Sequence, residues 1–329
     1  KKEKPELTQV YGQVLQDVCR RVDKAYRAFF GRIKHKEKAG FPRFKSANRY
    51  ISFTYPQHGF KLENNKLTLS KIGSVKIILH RPMIGKVKTL NIQHDSVGNW
   101  YACFSCESEA GFISEAGFIT ENILIPYSEN KIGIDVGIRS FATFSDGEKV
   151  PNPRFFNQDK NEIAKAQRKL GRTKNIAERN KYKKKINHIY NRVTNRRKDF
   201  AHKLSRKIVN KYGVIALEKL DIQQMLQNHS FSKNISDVAW GQFVQYTTYK
   251  AEWAGRSIIQ VDPRNTSQIC SGCGTLVKKD LSVQIHDCPA CGLKIDRDEN
   301  AAINILALGL QCLGINPKSS TLEIISSRE

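Results

Sequence analysis

The sequence predicts a multidomain α+β chain, and four observations carry that prediction. Residues 6–31 hold a helical period, and residues 50–106 break into short alternating segments. From residue 131 onward, strand-like and helix-like segments take turns, and two Cys-x-x-Cys turns fall near the end. In the first stretch Tyr11, Leu15, Val18, Val22, Ala25, Tyr26 and Phe29 recur at steps of three and four, which puts them on one helical face. Gly31 is expected to stop this helix. Arg20, Arg21, Lys24 and Arg27 line its other side, and a basic Pro-containing loop, GFPRFK (Gly40–Lys45), follows. Residues 1–48 are thus a helical segment.

Residues 49–107 change period. YISFTY, FKLE, KLTLS, SVKIILH, KVKTLNIQH and NWYACFSCE alternate or run apolar in pieces separated by turn signals. Asn64-Asn65 and Asp95–Asn99 sit between such pieces as hairpin turns. About six strands predict a small β-barrel or sandwich, and the barrel is the reading taken forward. Residues 108–130 read as a linker, within which SEAGFISEAGFI (Ser108–Ile119) writes one hexapeptide twice.

Residues 131–262 form the first part of an α/β domain. KIGIDVGI, FATFS and a piece at Lys149–Val150 look like three sequential strands; VIALEKL (Val214–Leu220) and SIIQV (Ser257–Val261) look like two more. A helix is expected over about Val238–Ala254. Between them, residues 152–211 read as a basic helical insertion, two long helices broken around Gly171–Thr173. Strands that alternate with helices indicate a sheet covered by helices.

Charge narrows the partners. Fifty-five Lys and Arg face thirty-one Asp and Glu, a net of +24, and residues 151–211 alone hold twenty basic and four acidic side chains. Such an excess speaks for nucleic acid. No apolar run approaches the ~20 residues of a membrane span, and no signal-peptide pattern opens the chain, so a cytoplasmic location and no membrane partner are expected.

Eight cysteines in a chain of this kind point to metal before disulfides. CSGCG and CPACG place Cys270, Cys273, Cys288 and Cys291 as two knuckles with fourteen residues between them. Four thiolates match tetrahedral zinc with no open position, which makes the zinc structural. A Gly after each knuckle lets the turn tighten. Residues 263–295 are therefore a zinc ribbon. Cys103 and Cys106 share the spacing but sit among strand formers, where residues three apart point to opposite faces.

Two acids interrupt apolar strands: Asp135 in KIGIDVGI and Glu218 in VIALEKL. A carboxylate at the end of a buried strand is costly unless something compensates it. A third acidic group, DRDEN (Asp296–Asn300), opens a small-residue helix within residues 296–329. Each alone has an ordinary explanation, an ion pair or a helix cap. Together, strand acid, strand acid and helix-start acid form the pattern of an RNase H-like nuclease. Such a site holds two divalent ions about 3.5–4 Å apart, and Mg²⁺ accepts carboxylates plus water and phosphate oxygens.

GIDVGIRSFATFSDG (Gly133–Gly147), VIALEKL and the ribbon running into DRDENAAINI resemble the TnpB (OrfB) family of insertion-sequence proteins, relatives of type V CRISPR effectors and of Fanzor. Upstream, the Phe29-Phe30 helix, GFPRFKS and ISFTYPQ resemble the family's recognition helices and wedge barrel, so the similarity covers nearly the whole chain. By that resemblance Lys1 enters midway through the helical lobe. The resemblance implies a RuvC-type domain that cuts double-stranded DNA paired to a guide RNA, the RNA deriving from the transposon end and a short flanking motif in the DNA being read by protein. Its catalytic, Mg²⁺-holding acids fall on Asp135, Glu218 and Asp298, with Asn300 beside the last and Asp296 as fallback. Arg139 and Arg297 fall near the scissile phosphate. The second motif reads Glu-Lys-Leu here where the family commonly has Glu-Asp-Leu.

An RNA–DNA duplex is recognised through its backbone. Lys181, Lys183, Lys184, Lys185, Arg192, Arg196, Arg197 and Lys198 are the candidate phosphate contacts. The function expected is RNA-guided DNA cleavage. A guided binder without cleavage, and a DNA transposase or resolvase, are the alternatives.

Overall fold

The computed structural model of the chain describes residues 4–46, 49–80, 83, 85–107, 128–219, 239–280 and 283–315. It divides into two compact units, residues 1–122 and 123–329. The hexapeptide repeat and most of the linker lie outside the described residues, as does Leu220.

In the first unit α1 spans Gly12–Lys34, after a short 3₁₀ turn at Pro5–Thr8. It runs through Gly31, contrary to expectation. One glycine inside a helix costs about 1 kcal/mol against alanine and does not by itself end the helix; the chain leaves the helix at His35–Lys36, where Lys36 turns left-handed with φ 56°. Only the early part of the helix is covered: Val14, outside the predicted stripe, is buried, Tyr11 stacks on Tyr55, and Val22 and Tyr26 of the stripe are exposed. Phe29 and Tyr26 instead gather around Phe41.

The six strands predicted over 50–106 are present: β1 (Ser52–Tyr55), β2 (Phe60–Glu63), β3 (Lys66–Leu69), β4 (Gly73–Lys76), β5 (Lys86–His94) and β6 (Trp100–Glu107). They pair antiparallel in two three-stranded sheets, β1-β5-β6 and β2-β3-β4. Asn64 and Asn65 both take positive φ, 45° and 64°, as a two-residue hairpin turn of right-handed twist requires. Tyr55, Leu67, Leu69, Leu90 and Ile92 from both sheets share one core with Val14.

The second unit is built on β7 (Lys131–Val136), β8 (Ser140–Phe144), β9 (Lys149–Pro151), β10 (Val214–Glu218) and β11 (Ser257–Val261), in the order β11-β10-β7-β8-β9. β7, β8 and β9 form an antiparallel meander, whereas β10 runs parallel to β7 and β11 parallel to β10. The basic stretch folds into α2 (Phe155–Arg172) and α3 (Ile176–Lys211); α4 (Trp240–Trp253) and α5 (Arg297–Cys312) follow. Asn175 starts α3 by accepting the Ala177 and Glu178 amides at 2.8 and 3.2 Å, a side-chain N-cap.

Strand alternation assigns the two faces of this sheet. Ile132, Ile134, Ile215 and Leu217 point to one side and pack with Ala201, Leu204 and Ile208 of α3 and Phe243 of α4. Ala216 and Val261 point to the other and pack with Ile305, Leu306 and Leu310 of α5. The second contact is unusually close because two positions lack a side chain. A Cβ at Gly133 would lie 2.1 Å from the Ala302 carbonyl oxygen, and one at Gly309 would lie 2.6 Å from Ala216 Cβ. No helix among the described residues is long and apolar enough to cross a membrane.

Candidate functional site

Asp135 is one step from the end of β7 and Glu218 is the last residue of β10. The last paired step between these parallel strands is Leu217 with Ile134, so the next step sets Glu218 beside Asp135. Asp135 shares the parity of Gly133, and Glu218 that of Ala216, so both carboxylates face the α5 side. Both keep partial solvent access, yet protein surrounds them closely. Burial, then the charges of Glu218 and Asp298, pushes the Asp135 carboxyl well above its ordinary range, against a smaller opposing effect of Arg297. Burial raises Glu218 to about 7. Among the described residues no lysine or arginine is ion-paired to either acid.

The start of α5 separates the roles of two neighbouring acids. Asp296 is the N-cap: its Oδ1 accepts the Asp298 and Glu299 amides at 3.0 and 3.3 Å, and its other oxygen pairs with Lys149 Nζ at 2.6 Å. Burial works to raise this carboxyl, but the Lys149 ammonium and the two amides outweigh it and hold it low. Asp298 stands within electrostatic reach of Asp135. Its Oδ1 accepts two bonds from Arg297, from Nε at 3.0 Å and Nη2 at 2.8 Å. Arg297 also donates from Nη1 to Val283 O at 3.3 Å, and Arg139 donates to Gln284 Oε1 at 2.9 Å; both arginines are thus engaged with the cysteine-bearing segment.

The four cysteines do converge. Their sulfurs lie within 4.8 Å of one another, the one group of three or more potential ligands among the described residues to do so; the three carboxylates are neighbours without reaching that spacing. Cys270–Cys291 and Cys273–Cys288 are each 3.6 Å apart. A tetrahedron with metal–sulfur bonds of about 2.3 Å has edges of about 3.8 Å, so the cluster could hold a metal such as zinc. The knuckles are built alike. Gly274 N–H donates to Cys270 O and Gly292 N–H to Cys288 O, each at 2.9 Å, with φ of 78° and 74° at the two glycines. The hairpin of β12 (Ile285–Asp287) and β13 (Lys294–Asp296) then delivers the chain to α5. Cys103 and Cys106, on β6, are not part of any such group.

Of the candidate phosphate contacts, Lys185, Arg192 and Arg196 are ion-paired within the protein. Arg192 Nη2 bonds Asp159 and Glu162, both at 2.7 Å; Arg196 reaches Asp159 at 3.2 Å; Lys185 reaches Glu162 at 3.4 Å. They staple α3 to α2. Arg197 is half-buried, and Lys181, Lys183, Lys184 and Lys198 are exposed on α3.

Two contributors went unread in the sequence. In the sequence Lys149 is marked only as part of a strand, and in the fold it anchors Asp296. Asn304 was passed over in AAINILAL, although a polar residue four positions after Asn300 on an otherwise apolar helix signals a buried hydrogen-bond partner.

Residues 125–229 match the OrfB_IS605 family, described as "Probable transposase", and residues 240–305 match the Cas12f1-like TNB domain. A Streptomyces pristinaespiralis protein named "Putative RNA-guided DNA endonuclease" is 34% identical over 311 residues, covering 92% of this chain and 73% of that one. "Putative RNA-guided DNA endonuclease InsQ" of Escherichia coli K12 is 29% identical over 316 residues, covering 90% and 74%. Among solved structures, a Cas12f1–sgRNA–target DNA complex shares 16% identity with a TM-score of 0.40, over 84% of this chain and 74% of that one. The two matched models follow one another along the chain, the insertion-sequence OrfB model first and the Cas12f1-like domain second. The chain belongs to the TnpB (OrfB) family.

Proposed function

We propose that this protein is an RNA-guided DNA endonuclease that hydrolyses phosphodiesters at Asp135, Glu218 and Asp298 with two Mg²⁺ ions. The single observation that carries the reading is the adjacency of Asp135 and Glu218 on parallel strand ends, facing the helix that begins beside Asp298. The strand order and directions suit an RNase H-like sheet of the RuvC type, in which the meander supplies the first acid and the parallel strand the second. Strand ends of this kind are where α/β sheets place their sites.

The donor set fits the ions. Mg²⁺ takes hard oxygens, commonly one or two carboxylates with water and phosphate, and two carboxyls raised by burial, with no ion-paired lysine or arginine among the described residues, are groups that a cation would favour in ionised form. When bound, the ions supply activation of water and charge stabilisation on the leaving oxygen. The protein's share is positional: Asp135 and Glu218 release protons and present oxygens from rigid strand ends, and Arg297 orients Asp298. The cysteine ribbon fits structural Zn²⁺, with all four positions filled by protein. In this reading residues 1–48 and 49–107 are part of the recognition lobe and the wedge barrel, and the partners are a guide RNA from the transposon end and double-stranded target DNA with a short flanking motif.

The test is purification with the RNA that the protein carries, followed by incubation of Mg²⁺ with DNA matching that RNA's 3′ end. Cutting that depends on the match, and that is lost in Asp135→Ala, is the expected result. Matched binding without cutting by the wild type would leave a guided binder in its place.

A further inference from the structure

We propose that Asn300 and Asn304 form an amide clamp that makes the first cysteine knuckle and the opening turns of α5 a single rigid piece, so that the ribbon's metal sets where Asp298 stands. The inference deepens the reading of Asp298 as the third acid and rests on it. Asn300 is fully buried; its Nδ2 donates to Ile269 O at 2.8 Å, and its Oδ1 accepts the Ser271 amide at 3.0 Å. One turn later, Asn304 Nδ2 donates to Thr266 O at 2.8 Å and again to Ile269 O at 2.7 Å. Ile269 and Ser271 flank Cys270, the first ligand, on either side.

Each amide answers backbone groups that a ribbon turn would otherwise bury unpaired, and an unmade buried bond is expensive. The helix side of the clamp is fixed as well, because α5 is pressed onto β7 at Gly133. The knuckle is thus pinned to the same helix that presents Asp298, two residues before Asn300. Asn300 and Asn304 touch no reacting atom. They are positioning residues, and their spacing on one helical face follows from the i, i+4 repeat.

Hydrogen–deuterium exchange on the full chain tests this without any nuclease assay. Removing zinc with a chelator is expected to speed exchange of the α5 amides at 299–304 while α4, on the opposite face of the sheet, changes far less. Asn304→Ala, still holding one zinc, is expected to show the faster α5 exchange already, by about tenfold, the loss of roughly one net hydrogen bond. Equal effects on α5 and α4 after chelation, or wild-type α5 exchange in zinc-loaded Asn304→Ala, overturn the clamp. The chelation arm needs no variant to fold. Where the wild type cuts DNA, Asn304→Ala is expected to raise the Mg²⁺ midpoint or lower the rate by about 10- to 100-fold, as loss of a supporting shell does; unchanged cutting overturns the clamp. Failure of the wild type to cut would sink the nuclease reading and leave the exchange result standing.

Discussion

Glu218 stands beside Asp135, one step beyond the last pair of β10 on β7, and both carboxyls turn toward α5. Burial raises the cost of ionising both, and the charge of Glu218 adds to it at Asp135. Glu218 has an ordinary value of 4.5 and a folded value of about 7. Between these this site holds more of a proton in the folded chain than in the unfolded chain, so its contribution to stability is full below about 4.5 and is lost as pH rises through 7. In chelated protein, Glu218→Gln is therefore expected to melt higher than wild type at pH 8, by roughly 3 °C or more, with the gap closing toward pH 4.5. Thermal melts across that range check it. Parallel curves for the two proteins would mean that Glu218 does not carry this proton.

Gly133 provides an independent test of how α5 reaches the site. Its missing side chain leaves room for the Ala302 carbonyl, which a Cβ would approach to 2.1 Å. That neighbour is backbone and cannot rotate away. Gly133→Ala is expected to cost about 1–3 kcal/mol or more through overpacking and to shift α5, with Asp298, off the sheet. Denaturant unfolding measures the first effect. Gly171→Ala, in open space near the end of α2, is the control that should leave stability unchanged or slightly raised.

The cysteine centre makes a prediction about pH and about which thiols matter. The Thr275 hydroxyl, then its backbone amide, pulls Cys273 down to about 6, so this sulfur is ionised at neutral pH before any metal arrives. Burial pushes Cys270 up, and metal capture must therefore release protons there. Zinc uptake is expected to weaken as pH falls through the neutral range, where the raised thiols must give up protons, and more steeply below about 6, where Cys273 takes one as well. Cys270→Ser and Cys288→Ser should each abolish the single bound zinc, whereas Cys103→Ser and Cys106→Ser should leave one equivalent. A colorimetric zinc titration distinguishes these outcomes, and zinc lost on changing Cys103 would refute the assignment.

How much of this could be read from residues alone depended on whether the signal was local. Cys-x-x-Cys twice over carries its geometry in its spacing, so the centre was legible down to its four atoms. Asp135 and Glu218 were legible because a lone carboxyl in an apolar strand is a local anomaly. Asp296 and Asp298 were not separable with the same certainty: both open one helix, and only the cap bonds and Lys149, contributed from β9, show that Asp296 is occupied. The staple between α2 and α3 was equally hidden. A run of cations states that charge is present, not that Asp159 and Glu162 on the preceding helix consume part of it. Gly31 failed as a stop signal because a glycine is tolerated inside a helix at small cost, and the left-handed residue and capping bond that end this one occur at Lys36 and His35.

That hidden staple divides the basic face into two classes of side chain with different expected phenotypes. Lys181, Lys183 and Lys184 are exposed on α3, and their joint replacement by alanine is expected to weaken nucleic-acid binding at every sequence alike. If each meets a phosphate, the slope of log K against log salt should shrink by about 2–3, at 0.7–0.9 per contact. Arg192 answers Asp159 and Glu162 instead, so Arg192→Ala should lower the melting temperature and leave the slope nearly as it was. Filter binding at several salt concentrations, with melts of the same proteins, separates the two. A full loss of slope from Arg192→Ala, with its melting temperature unmoved, would show that this guanidinium leaves the acids to meet the duplex.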